Sequence, residues 1–178
     1  MADKKITELT ELTTPLDTDI LAIVSDPGGS PVTDKVTRQN LLKLVPAPAA
    51  DHSASGLLAP LTAAQTTNFG DVCYIASSGK ATLVDADAIV SSSGFVMCAD
   101  AQIAADAAGN FLFLGFARDD TWAWTVGGLI YITVTATTGN TLSQTAPTGP
   151  DDVIQIVGVA THADRMFFNP QLVQVEHV

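Results

Sequence analysis

The residues able to do chemistry are few and scattered. His52, His162 and His177 stand far apart, with no HxH or HExxH pattern, so their spacing gives no zinc site. His162, Asp164 and Arg165 form the one compact polar group and read as hydrogen bonding at a strand end rather than a catalytic dyad. Asp85 and Asp87 have the proximity of a glycosidase acid and base, but no surrounding Tyr, Trp and His to shape a cleft. Asp119-Asp120 and Asp151-Asp152 lack the spaced ligands of a calcium loop and read as solvated turn residues. No G-x-S-x-G elbow, phosphate-binding loop or dinucleotide fingerprint occurs. The sequence therefore predicts a protein that is not an enzyme, with no catalytic residue, cofactor or metal.

Trp122 and Trp124 are a separate matter. In W-A-W they fall on one face if the segment is a strand. Two indoles side by side either fill a core or make a platform on which a sugar ring stacks. Cys73 and Cys98 are the two cysteines, set in apolar strand-like sequence without a CxxC, and read as buried free thiols.

The elements that must position these residues are mostly strands. From Gly70 onward, apolar runs recur at spacings near ten residues: DVCYIA (71–76), ATLVDAD, GFVMCADA (94–101), NFLFLGFARDD (110–120), TWAWTVGG, LIYITVTA (129–136) and VIQIVGVATHADRMFF (153–168). Turns are predicted at 77–80, 107–110, 127–128, 138–140 and 146–152. That pattern indicates an all-β body, a β-sandwich or small β-barrel. FLFLGFARDDTWAW and IQIVGVATHADRMFF share an apolar run, a glycine and later aromatics; Gly115 and Gly158 within those runs suggest a bulge or a close backbone approach.

Ahead of the body, V-P-A-P-A-A (45–50) cannot continue a helix and sets a module boundary. The expected organisation is an N-terminal module over 1–45, a linker over 46–69 with a helical turn at 61–65, and the body over 70–178. In the first module, residues 19–25 and 32–37 read as a hairpin around an Asp-Pro/Gly-Gly turn. Thr37 then caps a short helix, RQNLLKL. Such a module is too small to bury a core of its own and must dock on another surface.

Charge and composition narrow the partners. Hydrophobic residues make up 47% of the 178, ample for a core, and no apolar run approaches the roughly 20 residues of a membrane span. The N-terminus MADKKIT has no apolar signal core, so synthesis and assembly in the cytoplasm are expected. Net charge is −11, and residues 46–178 carry only Lys80, Arg118 and Arg165 against twelve acids. Such a body repels phosphate backbones, which excludes nucleic acid as a direct partner. Apolar residues on both faces of LIYITV and FLFLGF predict burial between copies of the chain.

The N-terminal module resembles the attachment segment of tailed-bacteriophage virion proteins. The resemblance rests on Ile6, Thr7, Leu9, Leu12, Thr13, Thr14 and Pro15, then Asp19, Leu21, Ile23, Val24 and Asp26, then Asn40, Leu41 and Leu42. H-S-A-S-G-L-L followed by T-A-A-Q is similar to a linker motif between segments of phage fibre proteins. The body, opening on G-D-V, passing G-L-I-Y and closing near I-V-G-V-A, resembles head-fibre and capsid-decoration (cement) domains.

The resemblance implies a homotrimer on the exterior of a virion, stabilising the capsid. Ile6, Leu9, Leu12, Leu21, Ile23, Val24, Leu41 and Leu42 would grip the major capsid protein or another virion protein. The competing implication is a tail fibre or baseplate protein that binds host-surface glycan through Trp122 and Trp124.

Overall fold

A computed structural model describes residues 20–25, 32–37 and 47–177. The chain divides into two compact units, Met1–Leu44 and Val45–Val178. In the first, β1 (Ile20–Ser25) and β2 (Val32–Thr37) pair antiparallel, from Ile20 opposite Thr37 to Ser25 opposite Val32. Their β-branched residues suit a pleated ribbon. The expected turn at 26–31 and helix at 38–44 lie outside the described residues.

The second unit is all-β, with no helix among the described residues. Its strands are β3 (Ser53–Thr62), β4 (Thr67–Asn68), β5 (Val72–Ile75), β6 (Ala81–Leu83), β7 (Val96–Cys98), β8 (Gln102–Ile103) and β9 (Ala108–Arg118). They continue with β10 (Leu129–Ile132), β11 (Leu142–Ser143), β12 (Val153–Ile154), β13 (Ile156–His162), β14 (Arg165–Phe168) and β15 (Val175–Glu176). Nine of them form one sheet in the order β11-β10-β13-β14-β9-β7-β5-β6, with β3 also on β9; β4-β8 and β12-β15 are small ribbons.

β9 is the spine. One edge is paired along its whole length by β3, while the other is shared between β7 (at Phe111 and Leu112) and β14 (at Gly115–Arg118). Two wings therefore diverge from it, and the sheet curls into a half-barrel around one core. Val72, Met97 and Leu112 meet Ile130, Ile132, Val157, Met166 and Phe168 in a single buried cluster. Buried Gln155 stitches the structure by accepting from Gly94 N (2.8 Å) and donating to the carbonyls of Gly94 and Gln171.

A bulge makes this curl possible. Leu57 pairs with Leu114 but Leu58 pairs with Leu112, so Phe113 has no partner on β3. The extra residue switches side-chain parity along β9. Leu112 faces the core before the bulge and Ala117 faces it afterwards, five residues on. A second register shift lies between Ile130 and Tyr131 against β13, beside Gly158. Both glycines singled out in the sequence thus sit next to a bulge.

Four expectations are corrected. The segment taken as a linker contains β3, whose ten residues pair with β9, and β4; its small residues suit an edge strand lying close against a neighbour. The helical turn at 61–65 is absent: Leu61 and Thr62 belong to β3, and Ala63 bridges Ala81. The turn at 107–110 is the start of β9. TWAWTVGG forms no strand, because its backbone is tied to the β13–β14 turn instead of a ladder: Trp124 N donates to Ala163 O at 2.8 Å.

The face of the sheet opposite the main core is treated differently on the two wings. Behind β5, β6 and β7, a second cluster including Cys73, Val96, Cys98 and Phe111 is covered by Ala63 and Ile103. Behind β14, β13 and β10 no such second cluster forms among the described residues. A cross-strand row runs Phe116–Phe167–Val159–Leu129, with Leu57 and Leu114 alongside. Leu57 is 63% exposed, Leu114 43% and Leu129 44%.

Candidate functional site

A cleft of about 520 Å³ opens at the mouth of the half-barrel. It is built from the β4–β5 corner (68–71), the loop after β9 (119–124) and the turn entering β11 (139–142), with His52 and Gln102 at its rim.

One wall is aromatic. Phe69 lies 6.4 Å from Trp122 between ring centroids, and Trp122 lies 5.5 Å from Trp124 at an interplanar angle of 48°. His52 extends the series, edge-on to Phe69 at 5.4 Å. Gly70, at φ 84°, is required here: a Cβ on it would stand 3.0 Å from the Trp122 ring. The indoles are half-buried, resting on the main core while also lining the cleft. Their loop is held by Asp119 N to Asp164 O (3.0 Å) and Trp122 N to Asp119 O (3.1 Å). Gln144 adds a two-way clasp on Thr125, accepting from its N at 2.8 Å and donating to its O at 2.9 Å. The indole N–H of Trp124 is buried with no acceptor among the described residues.

The other walls are polar. Asp71, 1% exposed, accepts from Asn68 N (2.8 Å), Gly139 N (2.7 Å) and the Thr141 hydroxyl, and so locks the corner to the β11 turn. Burial pushes its carboxyl above the usual carboxylate range, outweighing these three hydrogen bonds. Asp119 Oδ1 accepts from Thr121 N (2.8 Å) and Thr121 Oγ1 (2.6 Å). Gln102 Nε2 donates to Asn68 Oδ1 at 3.0 Å. No Lys or Arg lines the cleft.

Asp51, His52 and Asp119 gather at the rim with one candidate ligand atom each, all within 4.8 Å of one another. Hydrogen bonds already order this group. Asp51 Oδ1 accepts from Asp120 N (2.8 Å) and His52 N (2.9 Å), and the Asp120 N–H is the chief cause that holds the Asp51 carboxyl below its ordinary value.

Of the residues singled out by sequence, Trp122 and Trp124 come together in the cleft. His52 and Asp119 join them at its rim, and the rest lie elsewhere. Asp85 accepts from Asp87 N at 3.0 Å in a turn, and Asp152 accepts from Gly149 N at 2.6 Å. His162 bonds Asp164 at the exposed β13–β14 turn, where Arg118 Nε also lies 3.5 Å from Asp164. Leu21, Ile23 and Val24 are on β1, opposite Val36, Asp34 and Thr33. Ile6, Leu9, Leu12, Leu41 and Leu42 lie outside the described residues. Sequence reasoning missed Asn68, Phe69, Asp71, Gln102 and Thr141. The available signal was an aromatic directly before Gly-Asp at a strand mouth. No family model matches this chain, and no curated protein or solved structure matches it either.

Proposed function

We propose that this chain is a non-catalytic structural protein of a tailed-phage virion, a capsid decoration or head-fibre protein. Its N-terminal unit attaches it to the major capsid protein or another virion protein, and its body associates as a homotrimer that stabilises the capsid exterior. The observation that carries this reading is the apolar row of half-buried Phe116, Phe167 and Val159 with exposed Leu129, Leu57 and Leu114, on a sheet whose other wing is covered. Fully burying a side chain of this kind is worth about 1.5–3 kcal/mol, and proportionally less where it is already half-buried. A self-association interface of the usual size, on the order of 1,600 Å², would draw on these residues, and three linked attachments would multiply a modest single affinity. A first unit of only Met1–Leu44 is near the lower size at which a chain folds alone, which supports a segment ordered against a partner.

The test is sedimentation of the full chain at micromolar concentration. It is expected to give a trimer, and Leu114→Glu combined with Leu129→Glu is expected to give a folded monomer. A wild-type monomer overturns the assembly. Immunogold labelling of particles is expected on heads; label on tails would assign the chain to a tail fibre or baseplate instead.

A further inference from the structure

We infer that the cleft at the mouth of the half-barrel is a binding site for an uncharged sugar ring. Three observations converge on this ligand. The volume, about 520 Å³, falls within the range of small-ligand sites. Trp122 and Trp124 line it while half-buried, so their rings are held rigidly by the core and still border the open space. A pyranose presents a face of C–H groups that packs on such a ring, where contact area rather than charge gives the attraction. Beside this wall, Gln102 Nε2 is used on Asn68 Oδ1, and Gln102 Oε1 and Asn68 Nδ2 have no partner among the described residues. An acceptor next to a donor is the complement of two neighbouring hydroxyls.

Charge selects among sugars. The cleft contains Asp71 and Asp119 and neither Lys nor Arg, on a body whose Lys and Arg number three against twelve acidic residues. A sialylated or sulfated sugar would be repelled. The site binds and does not cleave: both Asp71 oxygens are held by backbone N–H groups, while Asp119 is held by Thr121 at Oδ1 and lies 3.4 Å from His52 Nε2 at Oδ2, so the two carboxyls do not form a free acid–base pair. None of its residues belongs to the apolar sheet face, so sugar binding and self-association are read separately.

The chain has two tryptophans, both in this cleft, so tryptophan emission, excited beyond the absorption of Tyr74 and Tyr131, reports on the site. The full chain is screened on an array of neutral, amino and sialylated glycans, and the best neutral sugar is then titrated by fluorescence. A saturable change is expected with the neutral sugar and none with N-acetylneuraminic acid. Trp122→Ala, which keeps Trp124 as reporter, is expected to weaken binding at least tenfold. Gln102→Ala, at an exposed position, is expected to weaken it several-fold with unchanged thermal unfolding. The inference is overturned if no neutral glycan binds, if sialylated glycans bind better, or if affinity survives both substitutions. Release of free sugar from the array ligand would overturn the assignment of binding without cleavage.

Discussion

Gly56 on β3 and Gly115 on β9 face each other with φ of 146° and 152°, and a Cβ on either would stand 2.1 Å from a carbonyl oxygen of the opposing strand. The two strands approach this closely just before the bulge at Phe113, where the sheet divides into its two wings. The contact is between backbones, so no side-chain rotation can relieve a substitution there.

Gly56→Ala and Gly115→Ala are therefore both expected to destabilise the body strongly. Backbone strain alone accounts for about 1–3 kcal/mol, and the steric overlap adds to it. Gly79→Asn, at φ 77° with open space around it, should cost well under 1 kcal/mol, because Asn tolerates this conformation. Urea unfolding of the three variants checks the order. Because the two sheet glycines contact one another, the double variant should be less damaging than the separate effects combined.

This pair also shows what the sequence could reveal. Gly115 interrupts a long apolar run, so a bulge was legible from local sequence. Gly56 lies in S-A-S-G-L-L, which has the small-residue composition of a linker; only its pairing with β9, about sixty residues away, makes it a strand. The all-β class and the strands at 72–75, 96–98 and 129–132 were readable because alternating apolar residues record which face is buried, whereas 153–168, read as one run, is divided into β12, β13 and β14 with a turn at 163–164. The cleft was legible only through Trp122 and Trp124. Asn68, Asp71 and Gln102 reach it by long-range pairing of β4 with β8 and by the clamp from Asp71 to Gly139, neither of which leaves a local pattern.

The core stitch at Gln155 gives a second prediction. Gln155→Leu roughly keeps the side-chain volume but leaves the Gly94 and Gln171 carbonyls without the Gln155 donor and the Gly94 N–H with Ser92 O alone. A loss of about 1–3 kcal/mol is expected, the cost of an unsatisfied buried group. Hydrogen exchange should locate the damage, with faster exchange at Gly94 and little change at β3.

Cys73 and Cys98 are free and buried, and burial is the main cause that raises both thiols. Cys98 is pushed up to about 11 and Cys73 higher still. Neither should react with a disulfide reagent at pH 8 until denaturant unfolds the chain. A raised folded pKa means the contribution to stability is complete below the ordinary value of 9.0 and is lost as pH rises through the folded values. Thermal unfolding should thus move to lower temperature between about pH 9 and pH 11, by up to ~1.4 kcal/mol per pH unit for each thiol. Cys98→Ser should remove part of that alkaline slope.

Asp71 supplies the last test, because it is both the clamp of the cleft and a buried titrating group. As a carboxylate it accepts from Asn68 N, Gly139 N and Thr141; asparagine offers one oxygen and turns an N–H₂ toward the other donor. Asp71→Asn is expected to cost about 1–3 kcal/mol at pH 7 and to loosen the 137–141 turn, seen as faster exchange at Gly139. The pH dependence has the reverse sign to that of an exposed, ion-paired aspartate. Burial raises the folded pKa above the ordinary 3.8, so this group's contribution is complete below that value and lost as pH rises through the folded one. Wild-type stability relative to Asp71→Asn should therefore be greater at pH 3 than at pH 7, measured by urea unfolding at both. If the gap instead narrows in acid, the hydrogen bonds outweigh burial, and Asp71 is held as a carboxylate by its three donors.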